Sequence, residues 1–201
     1  MQERKAFLPG MALLFLMSGC MPDFKVDLTY DRVVNATGGS GAILIAKPKD
    51  VSNLGRLPSG EWVLGTVKGS FGGKKFDIVT PTNVGDWIVS ALTQELSFAG
   101  YHVNTVTELP EGVLKGIDLT ILKVSVNHGG VWKLGAVSDV QFRVDIVEKG
   151  IKTKSFNVLA TGDERTLLVG VGVKNVGISL RKAMQIGMQQ AVPEIIKSVE
   201  H

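Results

Sequence analysis

The sequence predicts an α+β fold, with a mixed or mainly antiparallel sheet of about five to six strands and two helices packed on one face. Three patterns carry that expectation. Val140, Phe142, Val144 and Ile146 alternate with Asp139, Gln141, Arg143 and Asp145, the period of a strand with one dry and one wet face. Val84, Trp87, Ile88, Ala91, Leu92 and Leu96 recur at three and four, the period of a helix with one apolar stripe. Val176, Leu180, Ala183, Met184, Met188, Ala191, Ile195 and Val199 repeat that spacing near the C-terminus.

The other elements follow in chain order. Ala42-Ile43-Leu44-Ile45-Ala46 is a continuous apolar run between Gly41 and Lys47-Pro48, as expected of a strand covered on both faces. Residues 47–61 are rich in turn formers. Trp62 to Val67 and Phe76 to Val79 are short strands around the glycine-rich segment 69–75, a plausible hairpin. Thr82 or Asn83 caps the first helix, Asp86 suits its positive end, and Gly100 supplies a left-handed cap after Ala99. Tyr101, Val103 and Val106 lead into another extended segment. Ile117, Leu119 and Ile121 then alternate before the apolar parity switches to Leu122, Val124 and Val126, which predicts a bulge or a second covered face. Phe156, Val158 and Ala160 return after a turn at Glu148-Lys149-Gly150. The last helix runs from about Asn175 to Val199, and Pro193 is expected to kink or split it.

The N-terminus differs in kind from the rest. Arg4 and Lys5 precede an apolar stretch from Ala6 to Met17, which is the arrangement of a secretory leader. The stretch is too short for a transmembrane helix, which needs roughly 20 apolar residues. Met17-Ser18-Gly19-Cys20 resembles the lipobox of bacterial lipoproteins, with small residues before the cysteine and Met17 in place of the usual leucine. The resemblance implies acylation of Cys20 and cleavage before it. Cys20 is the only cysteine, so an intramolecular disulfide or a cysteine-rich metal site is excluded. Residues 1–19 are then a signal peptide, 20–41 a lipidated cysteine with a flexible tether, and 42–201 one periplasmic domain. The tether reading rests on Pro22, scattered charges and Asn35-Ala36-Thr37-Gly38-Gly39-Ser40-Gly41. Met21, where aspartate would retain a lipoprotein in the inner membrane, implies the outer membrane.

Charge and catalytic inventory narrow the function. The whole chain carries +3, of which the leader accounts for +1, so the remainder is near neutral and gives no case for nucleic acid. His102, His128 and His201 have no cysteine or histidine at metal-ligand spacing, so no metal is expected. His128-Gly129-Gly130 is not matched by any Gly-x-Ser-x-Gly nucleophile elbow. Gly69 to Lys75 fails the phosphate-loop template because Lys74 stands where glycine is required, and Gly170-x-Gly172 lacks its third glycine at Asn175. Asp163 and Glu164 are adjacent on a strand end and point to opposite faces. Lys149, Lys152 and Lys154 gather at one turn, where edge-strand protection explains them as well as anionic ligands do. No catalytic residue and no cofactor is expected. Trp87 fits the helix stripe, whereas Trp62 and Trp132 are the candidate interface residues, since exposed aromatics mark binding patches.

The order of elements, with Cys20, the buried strand 42–46, the helix ending Leu96-Ser97-Phe98-Ala99-Gly100, the long strands 136–147 and 154–161 and the final helix, resembles the YajG-like family of lipoproteins. The peptidoglycan-synthase activator LpoB and the curli-secretion lipoprotein CsgG are more distant relatives in fold. The insert at roughly residues 47–80 departs from the compact family pattern. No established activity comes with that resemblance, and no functional residue other than Cys20. The expected function is a lipid-anchored, non-enzymatic module that binds an envelope protein. The alternative is a carrier of lipid or another apolar ligand, which would use the glycine loop 170–173 and Trp132. Cys20→Ser is expected to abolish incorporation of labelled palmitate in cells, and to move the protein from the detergent phase to the aqueous phase on Triton X-114 partitioning.

Overall fold

The element order is β1 (Phe24–Lys25), β2 (Ala42–Ala46), β3 (Lys49–Asp50), β4 (Trp62–Lys68), β5 (Lys74–Thr80), α1 (Val84–Ala99), β6 (His102–Val106), β7 (Lys115–His128), β8 (Gly135–Glu148), β9 (Ile151–Arg165) and α2 (Gly172–Val199). These elements come from a computed structural model that describes residues 23–50, 52–68, 74–128, 135–165 and 172–200. Cys20, Trp132, His201, the loop tip 69–73 and, of the glycine loop 170–173, residues 170 and 171 lie outside the described residues.

All nine strands join one mixed sheet, larger than the five to six expected. β1 and β3 are two residues each, too short to show any period. β6 is an edge strand whose half-exposed pattern carries little apolar signal. β7 is the centre of the sheet. One of its edges pairs antiparallel with β8 from Lys115↔Glu148 to His128↔Ala136. The other edge is shared in parallel by β2 at Gly116 and Ile117, β3 at Thr120 and Ile121, and β4 at Val126 to His128. Outside β2 lies β6, also parallel. Outside β4 lies β5, antiparallel, and then β1, parallel to β5. β9 closes the far side, antiparallel to β8.

The parity switch in β7 is a bulge. Register shifts between Ile121 and Lys123, so Ile117, Leu119 and Ile121 before it and Val124 and Val126 after it are all buried. A strand without the extra residue would turn half of these outward.

Both helices lie on the buried face. Asn83 caps α1 by accepting from the Asp86 N–H at 3.1 Å, and Gly100 at φ 114° ends it. Gly85 brings the first turn of α1 against Ile121. Ser138 of β8 and Ser179 of α2 share a buried hydroxyl hydrogen bond of 2.6 Å. Gly162 of β9 has no room for a side chain, because a Cβ there would collide with the Ser179 carbonyl and the Ala183 amide. The helix backbone therefore rests directly on the strand. α2 starts at Gly172, earlier than expected, and runs unbroken past Pro193. Val192 and Ile195 on either side of the proline are fully buried, and that packing outweighs the roughly 3 kcal/mol that proline costs a helix interior.

The segment expected as a flexible tether is docked over residues 23–36. Val26, Leu28 and Val34 belong to the core, and the Phe24 ring meets Phe76 edge-on at 4.2 Å. The linker-like run begins only at Asn35, and the residues before it carry enough apolar surface to bury.

Gly162→Ala is expected to lower stability by about 3 kcal/mol, the upper end of overpacking costs. Gly177→Ala, where a Cβ would sit at 3.8 Å from Val26, is expected to raise it by about 0.5–1 kcal/mol through helix propensity. Urea titrations of the two variants check both signs.

Candidate functional site

The residues that bear chemistry are dispersed. His102 is exposed at the start of β6, and His128 sits half-buried at the end of β7, its Nδ1 enclosed without a hydrogen-bond partner among the described residues. Among the described residues, no three histidine, cysteine or acidic side chains gather as a metal site would require. Asp163 and Glu164 end β9, tied to Arg165 at 2.8 Å and to Lys182 respectively. On the open face of the sheet Lys123, Thr161 and Ser125 hold the Asp139 carboxyl below its ordinary range. Burial pushes the Asp145 carboxyl up, but Ser155, Lys152 and Arg143 together bring it below that range. Each of these four acids has a basic partner, which suits a stable wet face.

Two open cavities of about 340 and 230 Å³ lie where β2 and β6 end. The larger is lined by Lys47, Lys49, Glu108 and Asp118, with Lys49 and Asp118 paired at 2.9 Å. The smaller is lined by Pro48, Asp86 and Thr105. Ligand pockets of this size are mostly apolar, unlike the charged wall of the larger, while the smaller also has Val89 and Val106 in its lining.

The three tryptophans differ. Trp87 is core, as its place in the stripe implies, and its indole N–H donates to the Thr29 carbonyl at 3.1 Å. Trp62 is half-buried at the start of β4, with the Arg56 guanidinium 5.0 Å from its ring. Its face is thus already occupied by a cation. Trp132 belongs to the connection outside the described residues.

The exposed apolar surface lies elsewhere. Leu114 is 74% exposed and Ile151 69%, the highest values among the large hydrophobics of the described residues. The backbone brings them together at one end of the sheet. Lys149 N–H donates to the Leu114 carbonyl at 3.3 Å, Gly150 N–H donates to Val113 at 3.0 Å, and Glu148 pairs with both Lys115 and Ile151. The other exposed hydrophobics are differently placed. Phe98 is covered by the Arg32 guanidinium 3.1 Å from its ring, and Leu159 stands alone on the polar face. The turn at 148–150 was legible in the sequence. The neighbourhood of Leu114 and Ile151 was not, because they are 37 positions apart and meet only through strand register.

At the opposite flank the N-terminal segment is strapped across both helices. Glu95 of α1 is 1% exposed, and its carboxylate accepts from Val33 N–H at 2.7 Å, Val34 N–H at 3.2 Å and the Tyr30 hydroxyl. Burial, and then Glu95 itself, push the Tyr30 phenol well above its usual range. On α2, Arg181 donates to Asp31 at 2.8 Å and Thr29 at 2.9 Å, and Gln185 donates to the Asp31 carbonyl at 3.0 Å. The chain beyond is clasped again where Glu200 accepts from Tyr101 at 2.6 Å and Lys115 at 3.2 Å, beside Ser40.

No family model matches the chain, and no curated protein matches it. Solved structures share its architecture at low identity. A Xanthomonas campestris protein described under DUF330 superposes with a TM-score of 0.56 at 9% identity, over 89% of this chain and 95% of that one. A Helicobacter pylori neuraminyllactose-binding hemagglutinin homolog gives 0.46 at 14%, over 87% and 97%. Lipoprotein GNA1162 from Neisseria meningitidis gives 0.37 at 15%, over 80% and 99%. The first likeness shows the fold alone, and YajG-like membership is not among what these matches show.

Glu95→Ala strands buried N–H donors and is expected to cost about 3 kcal/mol. That corresponds to a Tm fall of about 10 °C at this size. Hydrogen exchange is expected to rise first in residues 28–36, ahead of the sheet.

Proposed function

We propose that this chain is a non-enzymatic lipoprotein of the cell envelope, anchored through Cys20 in the outer membrane on its periplasmic side. In this reading it works by docking another envelope protein. The observation that carries the docking reading is that Leu114, just ahead of β7, and Ile151, at the start of β9, are both exposed at the same end of the sheet. Isolated surface hydrophobics are ordinary, but two large ones at one end of a sheet are the kind of anchor that protein interfaces bury. Lys149 and Lys152 beside them, the latter paired with Asp145 at 3.1 Å, supply a charged rim. The dispersed histidines and the neutralised acids favour binding over catalysis.

The alternative, a carrier of lipid or another apolar ligand, needs apolar space between helices and sheet. Gly162 and Gly187 of this chain bring α2 close onto β8 and β9, and the larger of the two cavities described is walled by charge. Trp132 stays a second proposed contact, and Trp62 a weaker one under its Arg56 cover.

The test is photocrosslinking in cells with a benzophenone residue at Ile151, compared with one at Asn157 on the polar face. One discrete protein adduct from position 151, reduced at least tenfold by Leu114→Asp and absent from position 157, is the expected outcome. Adducts to lipid alone would promote the carrier, and equal protein adducts from both positions would remove the pair from consideration. Trp132→Ala in the same assay asks whether that side chain shares the contact.

A further inference from the structure

We propose that the end of the sheet at which β1 begins lies against the lipid bilayer, so that the long strands stand away from the membrane and hold Leu114 and Ile151 at the far end. This rests on the reading of Cys20 as the lipid anchor and adds an orientation to it.

The inference comes from strand direction and from how little chain separates the anchor from the fold. β1 runs parallel to β5, β5 antiparallel to β4, and β4 parallel to β7, so β1 runs opposite to β7. Following the chain backwards from Lys25 therefore leads toward the His128 end of β7. Asp23 fixes the level. Its carboxylate accepts from the Asp77 N–H at 3.1 Å, Asp77 pairs with Thr66, and Thr66 pairs with Asn127. Asp23 is thus one residue short of the end of β7. Cys20 lies three positions earlier, and a chain spans at most about 3.5 Å per residue, so the Cα of the acylated cysteine is tied within about 10 Å of that of Asp23.

The fold offers no slack that would let the domain turn over. From Phe24 onward the segment is held by its pairing with β5, by Trp87 on Thr29, by Glu95 on Val33 and Val34, and by Arg181 on Asp31. A free tether of residues 20–41 would have left the orientation open, and the docked segment removes that freedom. The opposite end, where Lys115 pairs with Glu148, lies about 40 Å further along β7 at roughly 3.3 Å per residue. What residues 69–73, 129–134 and 166–171 contribute at the near end lies outside the described residues, and the orientation follows without them.

Energy transfer tests this on the lipidated full-length protein reconstituted in phosphatidylethanolamine–phosphatidylglycerol vesicles carrying a rhodamine headgroup acceptor. Donor dyes are attached at Asn127→Cys, near the proposed membrane side, and at Glu111→Cys, in the turn beside Leu114; both native residues are exposed. Mass spectrometry first establishes that Cys20 carries its acyl chains. Transfer several-fold stronger from position 127 than from position 111 is the expected result. Equal or reversed transfer from acylated, vesicle-bound protein overturns the orientation and leaves the anchor standing. Protein without acyl chains that fails to float with the vesicles overturns the anchor, and the orientation with it.

Discussion

The sheet depends on β7 having both of its edges satisfied. Its fourteen residues meet β8 on one side and, in succession, β2, β3 and β4 on the other. Three separate stretches of chain are thereby brought onto one edge, and each carries further strands outward. The bulge after Ile121 makes this arrangement work. α1 meets β7 at Ile121, and the extra residue after it keeps the apolar side chains of β7 inward along the whole length. α2 completes the cover by lying across β8 and β9, with Gly162 and Gly187 allowing the close approach.

A second dependence runs through Glu95. A carboxylate in an apolar helix face is costly unless its lone pairs are filled. Here two backbone N–H groups and a phenol fill them, all from the segment that precedes the domain. The helix thus has a defect that only residues 30–34 repair, and those residues have backbone donors that only the helix satisfies. Trp87 repeats the arrangement about two turns earlier with Thr29. Mutual completion of this sort fixes the position of the segment more sharply than apolar burial alone, because hydrogen bonds carry direction.

Much of the fold was legible in the sequence wherever a period ran long enough. The stripes of both helices, the caps at Asn83 and Gly100, the alternation in β8 and the parity switch in β7 all rest on local chemistry that tertiary packing did not override. What escaped had no period to read. β1 and β3 are two residues each and exist only because a neighbouring edge was open. The docked segment was hidden by the glycines at 38, 39 and 41, whose linker character was extended to residues that bury Val26, Leu28 and Val34. Glu95 was the available signal, since an acid one position before Leu96 and four after Ala91 falls inside the buried stripe and requires a partner from elsewhere. Of the candidate contacts, Trp62 was legible as partly exposed, but its pairing with Arg56 depends on a turn that brings position 56 back to 62. Leu114 and Ile151 were invisible as a pair for the same reason that all cross-strand neighbours are.

The pairing of β1 with β5 also determines how the molecule would bear a pull. Tension applied to the chain ahead of Asp23 acts along β1, so it slides the strand past β5 instead of peeling it off, and the bonds of Phe24, Lys25 and Val26 are strained together. Behind them the Trp87, Glu95 and Arg181 contacts take the remaining strain in turn, each on a different side of the segment. The domain is fastened like a buckle with several teeth, and a tug at its leading end tightens the chain across the helices before it can lift the chain away.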